Sequence, residues 1–360
     1  MKIHFRLFIW SMLFVVSGYI TAQININNNN ILYPVCKDGK WGYINSSGNV
    51  VVSAIYDIAF PFDEGKAMTV QDNDKQFIDH SGKTVLTIPA TFMVHTSFSE
   101  GLLGYVNENG AGFLTPDGQL TITNNFAEVK PFSDGYAVYK DKDSGLYGAI
   151  DKTGKIKIMP QFTYLSDFIS GYAIYKLSNN HQYGLIDKAG KIFLVNRYTY
   201  LTNIFDGLIG TWNGSTKVKY IDIEKKEVFK AQVFKDNNRP SHFQLPLYPF
   251  SNGIVKYYDP FKNKYGFLNK KGEVEIPAQF DAASNYSNGL IAVKQGAKWG
   301  YANKKGVLKI RVQFDEATDF KDGVAAVYLG GSAKDFLDKK SNVKMGYINK
   351  KGDFIWKYSN

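Results

Sequence analysis

The chain has 360 residues, with 43 Lys and Arg against 33 Asp and Glu and a formal net charge of +10. At 44% hydrophobic and 21% charged, with 26 Phe, 24 Tyr and 5 Trp, it has the composition of a folded chain, not a disordered one. One cysteine excludes an intramolecular disulfide framework and any site built from several thiolates.

Lys2 and Arg6 precede an apolar run from Leu7 to Ile20, and Thr21-Ala22-Gln23 then offers a small residue for cleavage. This order predicts a cleaved secretory signal over residues 1–22. A spanning helix needs about 20 apolar residues, and this run is shorter and interrupted by Ser11, Ser17 and Gly18. A lipid anchor would need a Cys at the cleavage point, and Cys36 lies too far downstream. Loss of Lys2 and Arg6 takes the charge from +10 to +8. The expected product is exported (periplasmic, cell-surface or extracellular), with no stable membrane span after cleavage. Residues 23–30 form an Asn-rich linker.

From residue 31 onward one pattern repeats. Lys40-Trp41-Gly42-Tyr43-Ile44-Asn45 returns as Lys298-Trp299-Gly300-Tyr301-Ala302-Asn303 and as Lys344-Met345-Gly346-Tyr347-Ile348-Asn349. Related strings surround Gly148, Gly184 and Gly266, and eroded copies end at Asp79, Thr115 and Asp222. These nine copies stand mostly 34 to 36 residues apart, with two longer steps that mark insertions near 235–244 and 330–344. A second Gly follows each copy, as at Gly154 and Gly306, except the sixth, which has Lys225 or Lys226 there. Next comes an aromatic pair six apart, such as Phe162/Phe168 and Phe314/Phe320, and then a third Gly such as Gly171 or Gly323.

These offsets carry β chemistry. Lys155-Ile156-Lys157-Ile158 and Glu273-Val274-Glu275-Ile276 alternate as half-buried strands do. Asp151-Lys152-Thr153-Gly154 and its equivalents predict a type I turn closed by a left-handed Gly. Asp134-Gly135 and Asn288-Gly289 predict tight turns with positive φ. The eighth unit reads as strand A (Leu290 to Lys294), strand B (Trp299 to Asn303), strand C (Val307 to Ile310) and an irregular aromatic return.

With its Trp-Gly-Tyr-Ile-Asn core, Gly turn, Pro277-Ala278-Gln279-Phe280-Asp281 and following Phe-x-x-Gly, the chain resembles the WG-repeat (KWG-repeat) proteins, common in bacterial genomes, over essentially all of residues 31 to 358. The resemblance implies a repeat scaffold whose motif residues (Trp41, Gly42, Gly148, Gly184, Gly266, Trp299, Gly300 and Gly346) are structural. Trp survives in the motif only at Trp41 and Trp299, which is the tolerance of a packing position. The fold expected for 31–360 is all-β, a tandem array of about nine three-stranded repeats that must stack to bury their apolar faces. An open superhelix is favoured over a propeller-like ring, because the last unit stops after strand C and leaves no half-unit to pair the ends.

Candidate binding residues come in three groups. Lys270-Lys271, Lys304-Lys305 and Lys350-Lys351 occupy one turn in three units and would align as a basic stripe for an anionic partner. The same lysines also suit solvated tips that protect sheet edges. Arg239, His242 and Phe336 lie in the two insertions, which in repeat arrays map to loops on one face. The six-apart aromatics read as core between repeats, not as sugar-stacking rows. Carboxylates such as Asp63-Glu64, Glu100, Asp134, Asp206 and Asp322 recur at a turn position, whereas a catalytic pair occupies one singular pocket. The histidines have no zinc-ligand spacing. Cys36 reads as a small buried apolar residue. The sequence therefore predicts a non-catalytic exported binder of a protein or an anionic envelope glycan, without cofactor, metal or nucleic acid. The alternative is a carbohydrate-active hydrolase on the same scaffold.

Overall fold

The computed structural model describes residues 31–177, 182–215, 217–232, 248–338 and 342–359. The predicted signal, the Asn-rich linker and the insertion near 235–244, with Arg239 and His242, lie outside the described residues. What is described is antiparallel β structure with one short helix, Ala333–Leu337.

Nine A–B–C meanders follow one another along the described chain. In the eighth, A is Ile291–Gln295, B is Lys298–Ala302 and C is Leu308–Phe314. Strand C thus runs past its β-branched stretch into the aromatic return, which is less irregular than its sequence suggests. The return also contains a two-residue strand, D, that pairs with strand A of the following unit. Tyr164–Leu165 pairs with Lys176 and Tyr175, and Glu316–Ala317 with Tyr328 and Val327. In the second, fifth, sixth, eighth and ninth units this addition turns the expected three-stranded unit into a four-stranded sheet of order D–A–B–C, while among the described residues the first and seventh stay three-stranded. The third and fourth units share one seven-stranded sheet, because the long strand Leu120–Val129 pairs with strand B of one and strand A of the next.

The predicted turns form. Gly154 (φ 80°) donates its N–H to the Asp151 carbonyl at 2.9 Å, while the Asp151 carboxylate accepts the Thr153 and Lys155 amides at 2.9 and 3.1 Å. In the sixth unit Lys225 takes the left-handed position, at φ 66°. Asp134 and Gly135, at φ 53° and 77°, make the tight turn before strand A, closed by the Ser133–Tyr136 bridge.

The Gly of the Trp-Gly motif has a packing cause. Strand C is bulged where it faces strand B, and the bulge drives a carbonyl onto that glycine. A Cβ on Gly42, Gly148, Gly184 or Gly266 would lie 2.5 Å from the carbonyl oxygen of Val52, Ile158, Leu194 or Ile276, and on Gly300 2.6 Å from that of Ile310. Gly346 meets the Trp356 carbonyl at 2.9 Å.

The aromatic pairs are core, as expected. Phe162, Phe168, Phe314 and Phe320 are buried, and Phe320 packs edge-on against Tyr301 of the unit before it at 4.7 Å. Core clusters draw on successive units, so the apolar interior continues from unit to unit. One cluster joins the two ends of the array: Tyr33, Val35, Cys36 and Ile44 of the first unit pack with Val324, Tyr328, Met345 and Tyr347 of the ninth. The Tyr347 hydroxyl donates to the Pro34 carbonyl at 2.9 Å, and that of Tyr33 to the Asp322 carbonyl at 3.2 Å.

Candidate functional site

Each sheet has two ends, one carrying the A/B hairpin tip and the other the B/C turn beside the tight turn that precedes strand A. The lysine stripe lies on the second end. It is not a row of free cations. Lys270 donates to the Asp206 carbonyl at 2.6 Å, Lys188 to the Asp134 carbonyl, and Lys152 meets Glu100 at 3.1 Å. Lys304 sits against Gly253 and 5.9 Å over the Tyr286 ring. Each reaches back to the tight turn of the preceding unit. Lys271, Lys305, Lys350 and Lys351 are exposed. Lys152, Lys188 and Lys270 thus tie units together.

The recurrent acids do the same. Glu64 accepts the amides of Glu100 and Gly101 at 2.6 and 2.8 Å, Glu100 that of Gly135 at 2.9 Å, Asp134 that of Gly171 at 2.7 Å, and Asp206 that of Gly253 at 2.6 Å. A carboxylate in one tight turn thus caps the next turn, using charge-assisted bonds across each junction. Asp141 spends its carboxylate on the amide and hydroxyl of Ser144, at 2.8 and 2.6 Å. Among the described residues no group of three His, Cys, Asp or Glu side chains is placed to hold a metal ion.

On the hairpin end lies a device that the sequence reading missed. Lys40–Asp57, Lys264–Asp281 and Lys298–Asp315 are ion pairs at 2.6 Å. They join the Lys before Trp-Gly, or before Tyr265-Gly266 in the seventh unit, to the Asp after the strand-C aromatic. The second carboxylate oxygen accepts the hairpin-tip amide of the next unit: Asp72, Gly296 and Gly330, at 2.9, 2.7 and 2.9 Å. The lysine hydrogen bond holds the Asp281 and Asp315 carboxyls below the usual carboxylate range. A fixed seventeen-residue Lys-to-Asp spacing was the available signal.

Phe336 is not presented to a ligand, contrary to expectation. The inserted segment folds into the helix Ala333–Leu337, started by a capping box between Ser332 and Asp335. This helix buries Phe336 between Trp41 of the first unit (6.2 Å) and Tyr328 of the ninth (6.1 Å).

His80 stacks on Phe62 at 4.4 Å. His95 packs against Gly104 with Nε2 3.1 Å from the Val129 carbonyl, and burial pushes its pKa down to about 4. A groove of about 360 Å³ at the junction of first and last units is lined by Val35, Lys37, Val50, Val52 and Trp356. Another, of about 330 Å³ between the second and third units, is lined by residues such as Leu86, Phe92 and Leu114, with no titratable side chain.

One sector breaks the repeat. The first residue of strand D is Ile58, Met93, Ala282 or Glu316 in four units, but Tyr164 in the fifth and Tyr200 in the sixth. Tyr164 is 39% exposed and lies edge-on to Tyr183 at 5.9 Å. Lys130 stands 5.4 Å over Tyr164 and 5.9 Å over Tyr147, Lys140 5.7 Å over Tyr147, and Lys176 5.3 Å over Tyr183. Tyr200 stacks on Trp212 at 5.5 Å.

The model of the WG-containing repeat matches residues 41–75, 147–180, 265–299 and 299–332. No curated protein matches the chain in sequence. Among solved structures, the fold is similar to that of a eukaryotic initiation factor, at a TM-score of 0.59 and 10% identity over 92% of this chain and 96% of the other. More remote is BamB from Moraxella catarrhalis, with a TM-score of 0.43 and 12% identity over 79% of this chain and 94% of that one. These neighbours are β-propeller-like folds.

Proposed function

The chain belongs to the WG-repeat family, and from that premise we propose that it is an exported, non-catalytic scaffold. Its nine units close into a ring and present an extended surface to a macromolecule, either a protein or an envelope glycan. The observation that carries the ring, in place of the open array favoured by the sequence, is the contact between units one and nine. The Tyr347–Pro34 hydrogen bond and a shared core support it, and the wedge of Phe336 stands at this junction, which among the described residues lacks the strand D that most other junctions have. The non-catalytic reading is supported by the fate of the recurrent carboxylates, which are spent as ties between turns. Export rests on the charged, apolar and small-residue order of residues 1–22.

Small-angle scattering tests the ring: a compact, near-isometric particle is expected, and an elongated one overturns it. Incubation with envelope polysaccharides tests the scaffold: retention without new reducing ends is expected, and chain cleavage overturns it. Edman sequencing of the exported protein is expected to begin at Gln23, and a start at Met1 overturns the cleaved signal.

A further inference from the structure

Features that recur in every unit are accounted for by stacking, whereas a tyrosine opening strand D stands in units five and six alone among the described strands D. Tyr164 and Tyr200 occupy positions that hold Ile58, Met93, Ala282 or Glu316 elsewhere; Tyr200 is partly buried against the core of units six and seven, whereas Tyr164 is 39% exposed. Trp212 joins them at the strand-A position paired with Tyr200, and Tyr183 completes the row from strand B of unit five. Lys130, Lys140 and Lys176 are interleaved with these rings at 5.3 to 5.9 Å. The acids of the sector are already engaged: Asp167 stands 4.0 Å from Lys130, and Glu128 beside the Tyr147 hydroxyl. Lys130 also donates to the Leu165 carbonyl at 2.8 Å, so Lys140 and Lys176 are the ammonium groups beside the rings that would meet an anion.

We infer that this aromatic and lysine sector of units four to six is a binding platform for an acidic polysaccharide, a chain of uronate-type sugars. The inference rests on the scaffold reading above and names its ligand class. Apolar faces of pyranose rings stack on exposed aromatic rings, and phenol hydroxyls pair with sugar hydroxyls at the ring edge. A uronate offers in every residue both a stackable face and a carboxylate, which matches a surface that alternates rings with ammonium groups. A neutral glycan would leave the lysines without a role, and an acidic protein segment would leave the row of ring faces without one.

The test is affinity electrophoresis of the protein in gels cast with polygalacturonate, with dextran as the neutral control. Retardation by polygalacturonate but not by dextran is expected, weakening as salt rises. The double variant Tyr164→Ala/Tyr200→Ala is expected to lose at least tenfold in affinity. The triple variant Lys271→Glu/Lys305→Glu/Lys351→Glu, on the opposite end of the sheets, keeps it. If the tyrosine variant melts early, Lys140→Gln/Lys176→Gln serves instead and is expected to weaken binding and flatten its salt dependence. An unretarded native protein, or equal retardation of the native protein and both platform variants, overturns the site. New reducing ends in the polymer would instead sink the non-catalytic reading, so the two failures are distinct.

Discussion

Lys298 and Asp315 are joined by a 2.6 Å ion pair, and the other oxygen of the same carboxylate takes the Gly330 amide of the following unit. One side chain thereby fixes strand B of its own unit and the hairpin tip of the next. Replacing Lys298 by Met is expected to cost about 0.5–1 kcal/mol, the scale of a partly exposed pair. The loss depends on pH. The lysine hydrogen bond depresses the Asp315 pKa, so the pair stabilises above the unfolded carboxylate range and fades as pH falls through the lowered folded value. Urea midpoints of the native protein and Lys298→Met should therefore differ at pH 7 and converge as the pH falls below the lowered folded value. A separation that does not shrink as the pH falls would contradict the assignment.

Gly300→Ala is expected to cost about 3 kcal/mol, because its Cβ would fall 2.6 Å from the Ile310 carbonyl and backbone has to move. Trp299→Tyr should be close to neutral, since Tyr147 and Tyr183 stand at the same position in other units. Thermal melts of the two variants check the contrast.

Phe336→Ala should cost about 3 kcal/mol by emptying the wedge between Trp41 and Tyr328. Its distinguishing effect is local. Tryptophan emission should shift to the red, and hydrogen exchange should rise in Leu32–Lys37 and Lys344–Asn349 before the middle units are affected. Uniform loosening along the chain would count against a specific seam.

His95 links stability to pH in a second window. Its pKa is lowered by burial to about 4, so the neutral ring is the folded form and the unfolded chain binds the extra proton. Stability from this group is complete above the unfolded value near 6.5 and falls by about 1.4 kcal/mol per pH unit between there and 4. His95→Gln should remove that slope, as read from urea midpoints at pH 7, 6 and 5.

Repeat number, turn types and aromatic core were legible in the sequence because each rests on local stereochemistry repeated many times over. Gly154 needs a left-handed φ whatever surrounds it, and Phe162 and Phe168 declare their burial through a spacing that never varies. Strand D was not legible: Glu316–Ala317 has neither length nor alternation, and owes its pairing to strand A of the next unit. The role of Phe336 was hidden for a related reason. Its partner Trp41 lies at the other end of the chain, and an insertion reads as a loop until something is seen to receive it. The ties made by the turn lysines were not legible either. Nothing in Lys270 itself says that its ammonium reaches the Asp206 carbonyl 64 residues upstream.

The bond from Tyr347 to Pro34 spans 313 residues, while its counterparts from Tyr43 to Phe60 and from Tyr301 to Thr318 span 17. Eight of the nine junctions can thus assemble as the chain emerges, each on the neighbour just made. The ninth must wait until synthesis is nearly over. Until then the first unit carries an apolar flank with nothing against it, the kind of surface on which nascent chains aggregate or recruit a chaperone. A chain truncated before residue 344 keeps that flank uncovered for good. Such fragments should be degraded or aggregated far out of proportion to the few residues they lack.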